Sequence, residues 1–219
     1  DATNGGTTPN TVITIQNVGT VTVASADSPV LDDAAIAGND SSTDPLLVAR
    51  YKLYANNEAF TVTEMKFTND SAADNSYENS YALSTVILKY PTSATDSDTL
   101  DETAEVTLLS GVASFTGLTI AVPKSSNTDE NAINVEVYVV TNPISSAGAF
   151  SSGTQVEMDF DFDATTPGFK AIGVGSQETI TDADTASLGM AADVDANEIA
   201  LYQALPTFAY HSSTAQCSG

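Results

Sequence analysis

Carboxylates dominate the chemistry open to this 219-residue chain, which carries 29 Asp and Glu against 6 Lys and Arg, one His and one Cys. Loops rich in carboxylate, amide and backbone oxygen suit calcium, which takes roughly six to eight oxygen ligands. The segment D-V-D-A-N-E places Asp193, Asp195, Asn197 and Glu198 in the alternating pattern of the first half of an EF-hand loop. It lacks the glycine and the distant glutamate of that loop, so it is not one. Asp70 and Asp74 in a polar run over 69–80, and Asp129 in 124–131, are further candidate ligands. Each cluster also reads as a solvated polar loop. Asp159, Asp161 and Asp163 share one face of a candidate strand. Neighbours two apart on a strand stand roughly 7 Å from each other, too far to chelate one ion without a loop.

Other chemistry has little to draw on. His211 and Cys217 lie in the polar end of the chain, without a third group to orient a nucleophilic pair. G-x-S-x-G, P-loop, G-x-G-x-x-G and H-E-x-x-H patterns are absent. Zinc lacks its preferred His and Cys ligands. Carboxylate pairs can hydrolyse glycosides, but the chain has no Trp for a sugar-stacking platform. These absences point to a protein that is not an enzyme, with a hydrolase built on an unfamiliar carboxylate pair as a remote alternative. A single cysteine forms no internal disulfide and leaves an intermolecular one open. Two N-x-S/T sequons, at Asn39 and Asn69, are candidate glycosylation sites in polar loop sequence.

A formal charge of -23 makes nucleic acid an improbable partner, since phosphate binding needs a basic footprint. The same repulsion disfavours docking on an anionic membrane, and no apolar run approaches the roughly 18 residues of a membrane span. Self-repulsion of this size is relieved by a salty medium or by bound divalent cations. The start at Asp1 rather than Met fits a processed, extracellular chain.

The elements that must position these groups are strands. Period-two alternation recurs over 11–18, 19–25, 46–54, 59–68, 83–90, 104–109, 112–122 and 133–139. The alternation slips near Glu64, which predicts a β-bulge. Ser110-Gly111 predicts the turn of a hairpin between 104–109 and 112–122. The clearest strand is 154–163, with Val156, Met158, Phe160 and Phe162 inward and Gln155, Glu157, Asp159, Asp161 and Asp163 outward. Short strands follow at 169–174, 178–180, 198–203 and 206–210, with an Ala/Asp-rich stretch over 182–195 that has room for a helical turn. Residues 26–45 read as an Asp-rich loop. The whole predicts an all-β protein, a β-sandwich of about ten strands with long acidic loops. One sandwich is favoured, with two small ones as the runner-up.

Several segments resemble an immunoglobulin-like module of bacterial and archaeal cell-surface proteins. They are G-T-V-T-V-A-S (19–25), A-N-N-E-A-F-T-V-T (55–63), G-L-T-I-A-V-P-K (117–124) and V-E-M-D-F-D-F-D (156–163). The resemblance covers about 19–210 and implies an immunoglobulin-like or jelly-roll-type sandwich in surface-layer, adhesin or stalk proteins, with no catalytic residues to carry over. The expected organisation is an arm and donor strand over 1–18, a sandwich over 19–210 and a polar tail over 211–219. The expected role is a structural subunit of an extracellular filament or surface layer. It would assemble with copies of itself or with neighbouring surface modules, and calcium would stabilise it. Val12, Ile13, Thr14 and Ile15 would be the strand added to a neighbour's sheet. The alternative is a calcium-dependent adhesin or carbohydrate-binding module.

Overall fold

A computed structural model of the chain describes residues 19–26, 34–37, 44–69, 82–93, 99–125, 131–143, 152–162, 168–184, 187–189 and 193–202, the second of these by backbone alone. The described residues form fourteen strands. In chain order they are β1 (Thr20–Ser25), β2 (Ala34–Ala37), β3 (Leu46–Asn56), β4 (Phe60–Asn69), β5 (Leu83–Tyr90), β6 (Glu102–Thr107) and β7 (Val112–Val122). There follow β8 (Lys124–Ser125), β9 (Ile133–Thr141), β10 (Thr154–Val156), β11 (Met158–Phe160), β12 (Lys170–Gly173), β13 (Thr179–Thr181) and β14 (Ile199–Tyr202). The fold is an all-β sandwich of mainly antiparallel sheets. No helix among the described residues is long and apolar enough to cross a membrane.

One sheet has the order β1-β3-β9-β5-β6, with β8 adding to β3 beyond the end of β9. The second is organised around β4. One edge of β4 pairs with β7, and the other is shared by β12 and β11. A third, small sheet has the order β10-β14-β2, and its strand β10 leads directly into β11 through Glu157. Thus the expected single strand over 154–163 is two short strands that belong to two sheets. Val156, Met158 and Phe160 are all buried, as the alternation requires.

Other differences have local causes. The hairpin expected at Ser110-Gly111 is a single pair. Leu109 and Val112 exchange both backbone hydrogen bonds, at 2.9 and 3.0 Å, and Ser110 (φ 53) and Gly111 (φ 80) supply the two left-handed residues of a tight turn. Beyond that pair the strands part, because Leu108 and Ala113 are buried as β6 joins β5 and β7 joins β4. The turn therefore carries the chain from one layer of the sandwich to the other. Strand β2 lies within the stretch expected as loop. It pairs in parallel with β14, and its sequence AAIA carries weak intrinsic strand preference. The bulge expected near Glu64 is present as a register shift between Val62 and Glu64 against β7, which lets both Val62 and Met65 face the core.

The buried side chains of all the sheets form one cluster. Its centre is aromatic. Phe160 contacts Tyr51, Phe67 and Phe169 at 6.3, 6.0 and 5.8 Å between ring centroids. The Tyr51 hydroxyl on β3 donates to the Met158 carbonyl on β11 at 2.5 Å, a tether between the layers. Each buried aromatic contributes roughly 1.5–3 kcal/mol of transfer free energy.

Candidate functional site

Four of the predicted calcium ligands lie on the extended segment 193–198, which runs antiparallel to the β10–β11 strand. Phe160 and Val194 exchange backbone hydrogen bonds at 3.1 and 3.0 Å, and Val156 pairs with Ile199. Between those two points the 193–198 side has one residue more, so the pairing is bulged. Asp159 fills the irregularity: its Oδ1 accepts the Ala196 N–H at 2.7 Å, and the residue is only 8% exposed. The outward face of the strand is therefore covered here, which strand alternation alone does not foretell.

The predicted ligands are drawn into the same framework. Asp193 accepts the Phe162 N–H through Oδ1 at 2.6 Å and so closes the end of β11. The Glu198 carboxylate accepts from the Gln155 amide. Asp195 is exposed and Asn197 half-buried. Asp159 and Asp195 both add negative potential at Tyr51, whose phenol is pushed well up by burial first and by Asp159 next. No group of three or more His, Cys, Asp or Glu side chains suited to a metal converges among the described residues. Asp70, Asp74 and Asp129 lie outside the described residues, as do Val12, Ile13, Thr14, Ile15 and Asn39.

Asn69 closes β4. Its Oδ1 accepts the Glu157 N–H at 3.1 Å, while its Nδ2, the atom that would carry a glycan, is buried and has no hydrogen-bond partner among the described residues.

A second polar cluster, not foreseen from the sequence, lies between the end of β11 and the start of β12 along β4. Lys66 and Asp161 are opposed there, with the Asp161 N–H donating to the Lys66 carbonyl at 3.1 Å. The Lys66 ammonium lies 3.1 Å from Asp161 Oδ2, and the two side chains are 11% and 15% exposed. Gly168 lies so close that a Cβ there would sit 2.4 Å from Lys66 Cβ. Asp182 is fully buried beside them. Its Oδ2 accepts from the Gly168 N–H at 2.6 Å and its Oδ1 from the Phe169 N–H at 2.9 Å. Burial pushes the Asp182 carboxyl up, against the lowering effect of those two donors and of the Lys66 charge. The sequence signal for this cluster is slight: a lysine between Met65 and Phe67, and one aspartate among several over 182–195.

Two further carboxylates are occupied by the fold. Glu136 lies on the outer face of the first sheet, only 8% exposed. It accepts from Arg50 Nε at 3.0 Å and from the Tyr138 hydroxyl at 2.7 Å. Glu58 clamps the β12–β13 turn, accepting from the Gly175 and Ser176 N–H groups at 3.0 and 2.9 Å and from Ser176 Oγ at 2.7 Å.

The remaining polar feature is an edge. Strand β6 ends the path of the first sheet. Leu108 donates to the Ser84 carbonyl at 3.0 Å, which sets the hydrogen-bonded pairs toward β5 at residues 102, 104 and 106. The backbone groups of Thr103, Glu105 and Thr107 then point away from β5, and all three residues are exposed.

No protein-family model matches this chain, and no curated protein does.

Proposed function

We propose that this chain is a non-enzymatic structural module of an extracellular filament or surface layer, joined to neighbouring copies by β-strand addition. The outer edge of β6, which pairs with no other strand among the described residues, carries this reading. Its outward backbone groups at Thr103, Glu105 and Thr107 form a template for one more strand. Glu102 and Glu105 oppose pairing of that edge with a second β6. An uncharged, β-branched segment is its natural complement. Residues 11–18 (TVITIQNV) provide one, with Ile13 and Ile15 on one face and Val12 and Thr14 on the other. Calcium at loop carboxylates would offset the repulsion among copies that each carry a charge of -23.

Sedimentation velocity of the full chain and of a chain lacking residues 1–18, each with calcium and with a chelator, tests the reading. Polymer from the full chain, monomer from the truncated one and shorter polymer on chelation are expected. Assembly that is indifferent to the truncation would overturn strand addition by this arm.

A further inference from the structure

Half of the chain's six basic residues share one surface. Arg50 and Lys52 on β3 and Lys89 on β5 lie on the outer face of the first sheet. The register sets Arg50, Glu136, Lys89 and Thr103 in one row across β3, β9, β5 and β6. Two carboxylates, Glu136 and Glu105, stand among the strand residues of that face. Glu136 is taken up by Arg50. Lys89 Nζ stands 4.2 Å from the centre of the Tyr138 ring, which holds the ammonium on the face and leaves its charge in place. A face where cations outnumber carboxylates is exceptional on a chain with a formal charge of -23. Another copy of the same chain is the acidic partner it fits.

We propose that this face receives the acidic pole of the next copy, with Lys89 opposed to Glu178 at the end of the β12–β13 turn. This contact rests on the strand-addition reading and extends it. In the first sheet β1, β3, β9, β5 and β6 pair antiparallel throughout. Antiparallel addition of residues 11–18 to β6 sets residue 18 at the Glu102 end, beside the row that holds Lys89 and Thr103. Lys89 is then two strand spacings, roughly 10 Å, from the added strand. Gly19 follows residue 18 at a reach of about 3.5 Å, so whatever surrounds Gly19 in the donor meets the acceptor there. Glu58 walls Gly19: a Cβ on the glycine would stand 2.7 Å from Glu58 Cγ. Glu58 in turn holds the β12–β13 turn through the Gly175 and Ser176 N–H groups. That turn presents Val174, 57% exposed, and ends on the exposed Glu178. Basic face and acidic turn are different patches of one chain, so the contact is head-to-tail, the kind that extends into a ring or a filament.

Sedimentation velocity of the full chain across protein concentration at low salt tests the contact. Lys89→Glu and Glu178→Lys are each expected to raise the concentration needed for assembly about 3- to 10-fold, the effect of reversing one exposed pair. The double variant, with the pair restored in the opposite sense, is expected within about twofold of wild type. Glu178→Lys also lowers the overall negative charge, so a general charge effect would favour its assembly and give the opposite result. Circular dichroism confirms the fold of each variant. Single reversals without effect, or a double variant no better than the worse single one, overturn the contact. A peptide of residues 11–18 on the chain lacking 1–18 reads strand addition separately, because it carries no acidic turn. It is expected to protect the β6 edge amides equally with and without Lys89→Glu. Protection by the peptide with no effect of charge reversal overturns this contact alone. No protection on the unsubstituted chain overturns strand addition, and this contact with it.

Discussion

Asp159 decides whether the 193–198 segment is held by hydrogen bonding or by a cation. Its carboxylate accepts the Ala196 N–H at 2.7 Å from a position 8% exposed to water. In Asp159→Ala that N–H loses its acceptor where water cannot readily replace it. A hydrogen bond to a charged group contributes about 1.5–3 kcal/mol. Removing one negative charge near Glu157 and Asp195 offsets part of the loss, so a net destabilisation of about 2 kcal/mol is expected. For a chain of this size each kcal/mol moves Tm by about 2–4 °C, which gives a drop of roughly 4–8 °C. Asp159→Asn removes the charge and keeps an acceptor, so its loss is smaller, under about 1 kcal/mol. Thermal and urea unfolding in a chelator measure all three proteins. Equal stability of wild type and Asp159→Ala would refute the argument. Equal damage from the Asn and Ala variants would show that charge matters there and not the acceptor. Repeating the series with calcium separates the cation: a metal held by Asp159 raises the stability of wild type alone.

Further outcomes follow from other parts of the fold. Phe160→Ala removes the ring that contacts Tyr51, Phe67 and Phe169, and is expected to cost about 3–5 kcal/mol in urea unfolding. Burial pushes the Glu58 carboxyl up, but the hydrogen bonds from Ser176, Gly175 and Gly19 outweigh it and hold the group below its ordinary 4.5. A depressed carboxyl contributes stability that is complete above its unfolded pKa and is lost as pH falls through its folded pKa. The stability difference between wild type and Glu58→Gln should therefore be full at neutral pH and shrink below about pH 4.5, as read by urea unfolding across pH. Burial, with the Glu136 carboxylate as hydrogen-bond partner, pushes the Tyr138 phenol up to about 12. Ultraviolet titration of wild type against Tyr138→Phe isolates that group, and Glu136→Gln should bring its titration down.

The strands were legible because one face of each is packed. Val62, Met65 and Phe67 betray both β4 and its bulge, since a slip in the alternation is what a bulge leaves in a sequence. The β6–β7 hairpin was misread because Ser110-Gly111 specifies only the turn. Whether the flanking strands stay paired depends on Leu108 and Ala113 being buried in opposite layers. Strand β2 escaped notice because AAIA gains its strand conformation from β14, far along the chain. The candidate site was less legible still. D-V-D-A-N-E has the donors of an ion loop, yet Asp193 and Glu198 make hydrogen bonds that only the neighbouring β10–β11 strand reveals. Lys66, Asp161 and Asp182 are widely separated in sequence, and nothing local marks them as neighbours. The resemblance to surface modules concerned strand patterns, which carry no information about such a cluster.

The central claim is that the β6 edge receives the 11–18 segment of another copy. Amide hydrogen exchange of the chain lacking residues 1–18, with and without a peptide of residues 11–18, tests it most directly. The expected result is that the Glu105 and Thr107 amides exchange freely alone and become protected with the peptide, that the Thr103 amide, which donates to Glu102 Oε1 at 3.3 Å, gains less, and that those of residues 102, 104 and 106 change little. A peptide that leaves all three outward amides unprotected at saturating concentration, or protects a different edge, would contradict it.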